Sequence, residues 1–252
     1  MNRKTWGQHK LIDNTVLDQI VEIAQITKKH IVYEIGSGTG NLTYKLCNKA
    51  KKVISSEIDE KYYSICVNKL SKIDNLELIR GDGFKIDINY DILMSNLPYS
   101  KSSQFVEWLI NENFIRAVVL VQTEFADKLV AKPGNKNYRS ITVITNANFY
   151  VNKVGTIPNY LFSPIPKVLT SILLIKPKNK KINLDSIKII KFLFSMRGKK
   201  LSSIIKIINK NFVNDFSSVI PDKLSNMNIE KIEIHDFLKI VDNLSNIGFK
   251  IE

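Results

Sequence analysis

The chain has 252 residues, 44% of them hydrophobic, enough for one large domain, or one domain with a small appendage, around a full apolar core. No apolar run approaches the roughly 18 residues of a membrane span, and Met1-Asn2-Arg3-Lys4-Thr5-Trp6 has no signal-like apolar stretch, so the expectation is a cytoplasmic protein without a membrane partner. The 37 basic against 24 acidic residues give a net charge of +13, which calls for a polyanionic partner, whereas Cys47, Cys66 and the histidines His9, His30 and His235 form no disulfide framework and no metal-ligand pattern.

Residues 1–12 read as an ordered arm, because Trp6, Leu11 and Ile12 want burial. Asp13 or Asn14 then caps a helix whose apolar positions Val16, Leu17, Ile20, Val21, Ile23 and Ala24 continue to about Thr27. Ile31-Val32-Tyr33-Glu34-Ile35 is a compact strand, followed by Gly36-Ser37-Gly38-Thr39-Gly40 and a helix over 41–50, the nucleotide-site turn of an open α/β sheet. Asn41 stands where a dinucleotide fingerprint wants its third glycine, which disfavours NAD. An acid two residues before the first glycine, Glu34, suits instead a cofactor that carries an ammonium and a sulfonium.

A second strand over 52–56 ends in Glu57-Ile58-Asp59, with Glu57 placed 21 residues after Gly36, where an acid can accept from both hydroxyls of a ribose. A helix over 60–71 and a strand over 76–80 lead to Gly81-Asp82-Gly83-Phe84, where Asp82 can accept from an adenine amine. The next apolar run, 90–94, precedes Asn96-Leu97-Pro98-Tyr99. Proline fixes its own φ and pushes Leu97 out of the helical region, so the Leu97 carbonyl and the Asn96 amide oxygen can point the same way beside an aromatic face. That combination suits an exocyclic purine amine, although a strand-ending turn with a buried tyrosine fits the tetrapeptide as well.

A helix over 103–111, a buried strand over 115–122, a helix over 124–131 and a basic turn-rich loop over 132–137 follow. Residues 140–145 fit strand or helix; 149–157 and 170–175 read as the last strands. Between these two strands, the prolines of Phe162-Ser163-Pro164-Ile165-Pro166-Lys167-Val168 stiffen a loop that could expose Phe162 to an extruded base and Lys167 to its phosphate, while a core position for Phe162 fits equally. Lys176-Pro177-Lys178-Asn179-Lys180-Lys181 has linker character, and amphipathic helices over 185–196, 201–212 and 235–246 make a small basic α-helical domain. Eleven Lys/Arg residues and one acid, Asp185, lie between 176 and 212.

Six of these stretches, in this order, resemble the KsgA-type family of small-subunit rRNA adenine N6,N6-dimethyltransferases. Trp6-Gly7-Gln8-His9-Lys10-Leu11-Ile12-Asp13 is similar to its G-Q-N-F-L-I-D arm, with His9-Lys10 in place of Asn-Phe, and Glu34 to Gly40 is similar to its cofactor loop. Glu57-Ile58-Asp59, Gly81-Asp82, Asn96-Leu97-Pro98-Tyr99 and the Phe162 to Val168 segment match its ribose acid, adenine contact, catalytic motif and F-x-P-x-P-K-V. Met196-Arg197-Gly198-Lys199-Lys200-Leu201 resembles its R-R-K-x-L segment more loosely, and Arg139 replaces a usual glycine.

The resemblance implies a Rossmann-like S-adenosylmethionine-dependent methyltransferase domain over 1–178 and a helical domain over 179–252 for rRNA contact. It implies cofactor contacts from Gln8, His9, Leu11, Glu34, Gly36, Ser37, Gly38, Gly40, Glu57, Ile58, Asp82, Gly83 and Asn96. It assigns catalysis to Asn96, Leu97, Pro98, Tyr99 and Phe162, and RNA contact to Lys132, Lys167, Arg197, Lys199 and Lys200, with no metal. The expected partner is small-subunit rRNA within a pre-ribosomal particle, met by a monomer. The antibiotic-resistance branch that methylates large-subunit rRNA shares the tetrapeptide but usually lacks a segment like Gln122 to Gly134, so the small-subunit branch is preferred. A non-catalytic ribosome-assembly factor that has kept the fold is the reading from another class.

Overall fold

The computed structural model describes residues 9–179, 181–211 and 216–251. In chain order they form β1 (Lys10–Leu11), α1 (Asn14–Ile23), β2 (Ile31–Ile35), α2 (Asn41–Lys49), β3 (Lys52–Glu57), α3 (Glu60–Leu70), β4 (Leu76–Arg80), β5 (Ile92–Asn96), α4 (Ser102–Leu109) and β6 (Arg116–Gln122). There follow α5 (Thr123–Leu129), α6 (Ser140–Asn148), β7 (Phe149–Ile157), β8 (Phe162–Ser163), β9 (Thr170–Pro177), α7 (Leu184–Ser195), α8 (Leu201–Asn211), α9 (Asp222–Ser225) and α10 (Ile234–Asn246).

The chain divides into two compact units, one within Met1–Ala126 and Tyr150–Pro177, the other within Asp127–Phe149 and Lys178–Glu252. The first is built on a seven-stranded sheet of order β4-β3-β2-β5-β6-β9-β7. β2 pairs in parallel with both β3 and β5, which makes them neighbours although two strands separate them in sequence. Helices joining parallel strands cover both sheet faces, so β2, β3 and β5 are almost continuously buried. The winding reverses between β2 and β5, and the crevice beyond their carboxyl ends is where such sheets take ligands. Ile35 lies opposite Ser95 there, so the Gly36 turn and Asn96 emerge side by side. β9 runs antiparallel to β6 and sets Thr170 opposite Gln122.

Local chemistry accounts for most boundaries. Asp13 caps α1 by accepting from Val16 N at 2.9 Å. The helix stops at Ile23, short of the expected Thr27, because Gln25 enters the left-handed region at φ 50. Asp59 caps α3 by accepting from Lys61 and Tyr62 amides. Residues 140–145, ambiguous in sequence, are helical: the Thr142 hydroxyl accepts from Arg139 N at 3.0 Å, and Val143, Ile144 and Ala147 are buried. Arg139 has an ordinary extended backbone, φ −137, so nothing there requires glycine. Cys47 and Cys66 are free and buried.

The helical unit differs from the expected 179–252 by recruiting residues 127–149 from the middle of the chain. Tyr138 is fully buried, its hydroxyl donates to Ile232 O at 3.0 Å, and its ring meets Phe194 at 5.6 Å, while Gly134 N donates to Glu230 O at 2.7 Å. Long-range burial of Tyr138, the residue that follows the basic loop, decides this membership, and the composition of 132–137 carries no sign of it. No helix among the described residues is long and apolar enough to cross a membrane.

Candidate active site

A cleft at the β2/β5 switch point is lined by Glu34, Gly36, Ser37 and Gly38 from β2 and its turn, Glu57 from β3, Asn96 at the end of β5 and Leu97 to Tyr99 after it, and His9 and Leu11 from the arm. Glu34 is 1% exposed, and one carboxylate oxygen, Oε2, accepts from the hydroxyls of Thr43 and Ser55, each at 2.6 Å. Its other oxygen, Oε1, is buried and has no hydrogen-bond partner among the described residues. Burial pushes the Glu34 carboxyl up from 4.5 to about 7, against those two hydrogen bonds, and the neighbouring Glu57 adds to the rise. A buried oxygen left unpaired costs free energy until a donor arrives, and a cation is the donor that offsets most.

Glu57 is fixed by its own backbone surroundings. Its Oε2 accepts from Gly38 N at 2.8 Å and its Oε1 from Asp59 N at 2.9 Å, so each oxygen keeps a further lone pair in a set direction. Burial raises its carboxyl too, opposed by those amides. Gly36 and Gly38 sit at φ +87 and +54, and a Cβ built on either meets nothing within 4 Å, so the turn leaves open space above its backbone. An unpaired carboxylate oxygen, a preset diol acceptor and an open glycine floor fit S-adenosylmethionine, with its ammonium, ribose and sulfonium.

At the other side of the cleft, Asn96 Nδ2 donates to His9 O at 2.8 Å. A carbonyl can only accept, so this bond sets the amide orientation and frees Oδ1 as an acceptor. Leu97 N is used by Leu120 O at 3.2 Å, and Pro98 holds φ −56 and ψ 129. The Tyr99 hydroxyl pairs with Thr170 Oγ1 at 2.9 Å, which fixes the ring against rotation out of the site. The His9 ring stacks on it at 5.4 Å between centroids and 25° between planes, and His9 Nδ1 donates to Pro164 O at 2.7 Å.

Several expected site residues lie elsewhere. Phe162 is 1% exposed and belongs to the apolar core with Leu11, Leu17 and Ile20. Its register opposite Leu11 in the β1/β8 pair turns the ring inward and Ser163 outward, so no second aromatic wall comes from it. Gly40 and Gly83 lie outside the cleft lining: Gly40 is a left-handed residue at φ +77 that opens α2, and a Cβ on Gly83 would meet Ser56 Oγ at 2.5 Å. Asp82 uses Oδ1 to accept from Phe84 N at 3.1 Å, and Ile58 is exposed; neither lines the cleft. Gln8 lies outside the described residues.

Of the expected RNA contacts, Lys132, Lys167, Lys199 and Lys200 are exposed. Arg197 is half-buried, its Nε 3.7 Å from Glu230 Oε2, so it braces the helical unit and is not presented as a free cation. Sequence reasoning missed Thr43 and Ser55, which hold Glu34, and Thr170, which holds Tyr99. It also missed Lys10, whose Nζ lies 3.7 Å from the centroid of the Tyr62 ring. A hydroxyl one turn into the helix after the glycine loop was the available signal for Thr43; the others come from distant strands.

Comparison with known proteins agrees with this chemistry. The profile of the ribosomal RNA adenine dimethylase family matches residues 1–246. The chain is 35% identical over 257 aligned positions to the ribosomal RNA small subunit methyltransferase A of Borrelia garinii, covering 96% of this chain and 89% of the relative. It is 39% identical over 201 positions to the probable ribosomal RNA small subunit methyltransferase A of Pyrococcus abyssi, covering 79% and 74%. The crystal structure of a dimethyladenosine transferase from Plasmodium falciparum superposes with a TM-score of 0.87 at 28% identity, over 97% of this chain and 100% of that one. The 23S rRNA methyltransferase ErmE, at 22% identity and a TM-score of 0.69 over 93% and 99%, shares the fold. With an unbroken profile match and relatives above 30% identity along most of its length, the chain belongs to the ribosomal RNA adenine dimethylase family.

Proposed function

We propose that this protein dimethylates the N6 amine of adenines in small-subunit rRNA, working as a cytoplasmic monomer on a pre-ribosomal particle. The observation that carries the reading is the Asn96 amide, oriented by the His9 carbonyl so that Oδ1 is free at a cleft that also holds Glu34 and Glu57. S-adenosylmethionine, when bound, supplies an electrophilic sulfonium methyl group. Glu34 Oε1 would hold its ammonium and Glu57 its ribose hydroxyls.

Asn96 Oδ1 and the Leu97 carbonyl accept from the two N–H groups of the target amine. That draws the nitrogen toward tetrahedral geometry, withdraws its lone pair from the purine ring and aims it at the methyl group. Pro98 fixes the direction of the Leu97 carbonyl, and the face of Tyr99 opposite the His9 ring receives the unstacked base, stacking that is worth about 1–3 kcal/mol. The nitrogen would take the methyl group as the carbon–sulfur bond breaks and S-adenosylhomocysteine leaves, and its proton would then pass to water, so no strong base is needed, and positioning carries most of the rate. A second transfer on the same nitrogen yields dimethyladenosine.

Incubation with methyl-labelled S-adenosylmethionine and either immature small subunits or large-subunit rRNA, followed by nucleoside analysis, tests this. Dimethyladenosine in the small-subunit RNA is the expected product; label only in the large-subunit RNA would select the other branch. Replacing Lys199 and Lys200 together with alanine should weaken RNA binding and flatten its salt dependence by somewhat under one unit of log–log slope per lost phosphate contact. An unchanged slope removes both from the interface.

Glu34 makes cofactor binding depend on pH. With its carboxyl near 7, much of it is protonated at pH 6 and ionised at pH 8, and the cofactor ammonium favours the ionised form. S-adenosylmethionine affinity should therefore rise roughly tenfold from pH 6 to 8, and Glu34→Gln should flatten the profile. The cofactor-free protein should show the opposite trend. A folded pKa raised from 4.5 to about 7 stabilises the fold below 4.5, and that contribution, roughly 3 kcal/mol, is lost as pH rises through 7. Denaturation midpoints with and without cofactor across this window check both signs.

A further inference from the structure

Residues 158–169 form a loop whose backbone is tied down and whose side chains are left open. Leu161 O accepts from Ile12 N at 3.0 Å, Pro166 O from Asn159 Nδ2 at 3.2 Å, and Leu169 O from Thr123 N at 2.9 Å. The buried ring of Phe162 anchors the middle. Yet Tyr160 is 66% exposed, Ile165 62%, Leu169 47% and Val168 41%, with exposed Lys167 between them. Four large apolar side chains solvated on one rigid loop cost the folded protein, and such clusters mark binding surfaces.

The position of the loop says what would cover it. Pro164 O holds His9, whose ring stacks on Tyr99, and Thr170, the residue after the loop, holds the Tyr99 hydroxyl. The loop therefore borders the place where the target amine is received. It contains one cation and no acid in a chain of net charge +13, which suits a polyanion and gives an acidic or neutral protein no counterpart but Lys167.

We propose that this loop is a platform for the nucleotides flanking the target adenine, with Tyr160 stacking on one base, Ile165 and Val168 packing against it, and Lys167 meeting a phosphate. Splaying the target adenine out of its strand leaves its neighbours unstacked, and an exposed tyrosine on a fixed backbone replaces a lost base–base contact without reading sequence. The inference rests on the RNA reading above and adds a surface outside the cofactor cleft to it.

The test uses the full chain, unmodified small-subunit rRNA both as free transcript and within immature small subunits, and the variants Tyr160→Ala, Tyr160→Phe and Lys167→Ala. Tyr160→Ala should raise KM for the RNA about tenfold with kcat within twofold, unchanged S-adenosylmethionine affinity and an unchanged denaturation midpoint. Tyr160→Phe should behave as wild type. The salt slope of RNA binding should stay the same in Tyr160→Ala and fall by about 0.7 in Lys167→Ala, because stacking releases no counterions. A KM within twofold for Tyr160→Ala overturns the proposal, as does equal damage from phenylalanine. Sensitivity confined to intact particles would assign the loop to a ribosomal protein, and a wild-type dimer that Tyr160→Ala dissociates would assign it to a second copy. If no rRNA accepts methyl groups at all, the enzymatic reading fails, and RNA affinity of Tyr160→Ala still decides the platform.

Discussion

Asn96→Ala is expected to lower kcat for methyl transfer by about a hundred- to a thousandfold while S-adenosylmethionine affinity stays within a few-fold. The magnitude is that of removing one preorganised polar contact aimed at charge that develops in a transition state. The selectivity follows from where the contacts originate. Glu34 and Glu57 come from β2 and β3, and neither carboxylate uses Asn96 as a partner. Asn96 has a second task, since Nδ2 holds the arm through His9 O at 2.8 Å. Asn96→Asp separates the two: it keeps an acceptor for the amine but sets an oxygen against the His9 carbonyl. That variant should retain more of kcat than alanine and bind cofactor less tightly. Single-turnover rates and calorimetric binding on both variants decide the assignment, and equal loss of rate and binding in Asn96→Ala would contradict it.

Phe162→Ala should destabilise the fold by about 3–5 kcal/mol, the usual cost of emptying a buried aromatic site. The ring is 1% exposed and packs with Leu11, Leu17 and Ile20, so its loss opens a cavity between the arm, α1 and the sheet. Phe162→Leu keeps most of the apolar volume and should cost under about 1.5 kcal/mol with kcat/KM nearly unchanged. The opposite pattern, full stability with a more than tenfold loss of kcat/KM in the leucine variant, would return the ring to the substrate. Chemical denaturation alongside steady-state kinetics distinguishes the two.

Phe162 also marks the limit of what a motif conveys. Two prolines two residues apart announce a stiff loop, but which way the preceding ring points depends on register against Lys10–Leu11, some 150 residues away. Gly40 and Gly83 teach the same lesson: each falls beside a cofactor motif, yet Gly40 is required by its own left-handed φ of +77 and Gly83 by the close packing of Ser56, Ile35 and Tyr33. Arg197 reads as a free cation until Glu230 is brought beside it.

What the sequence determined by itself is local. The run lengths and the turn signals beside them specified β2, β4 and β7 to the residue: β2 as a short buried β-branched stretch that ends at a glycine turn, and β4 and β7, the partly exposed edge strands of the sheet, as stretches that stop at Gly81 and Pro158. The glycine turn, the acids at strand ends and the Asn96 tetrapeptide were legible for the same reason, and strand-end placement followed from the alternation of strand and helix. Only the tertiary structure decided that Glu34 keeps an unpaired oxygen in the cleft, that His9 orients Asn96 and covers Tyr99, and that residues 127–149 belong with the C-terminal helices. Those outcomes depend on which distant groups satisfy a buried polar atom or fill a core position, and a pairing across a hundred residues leaves no periodic trace in the chain.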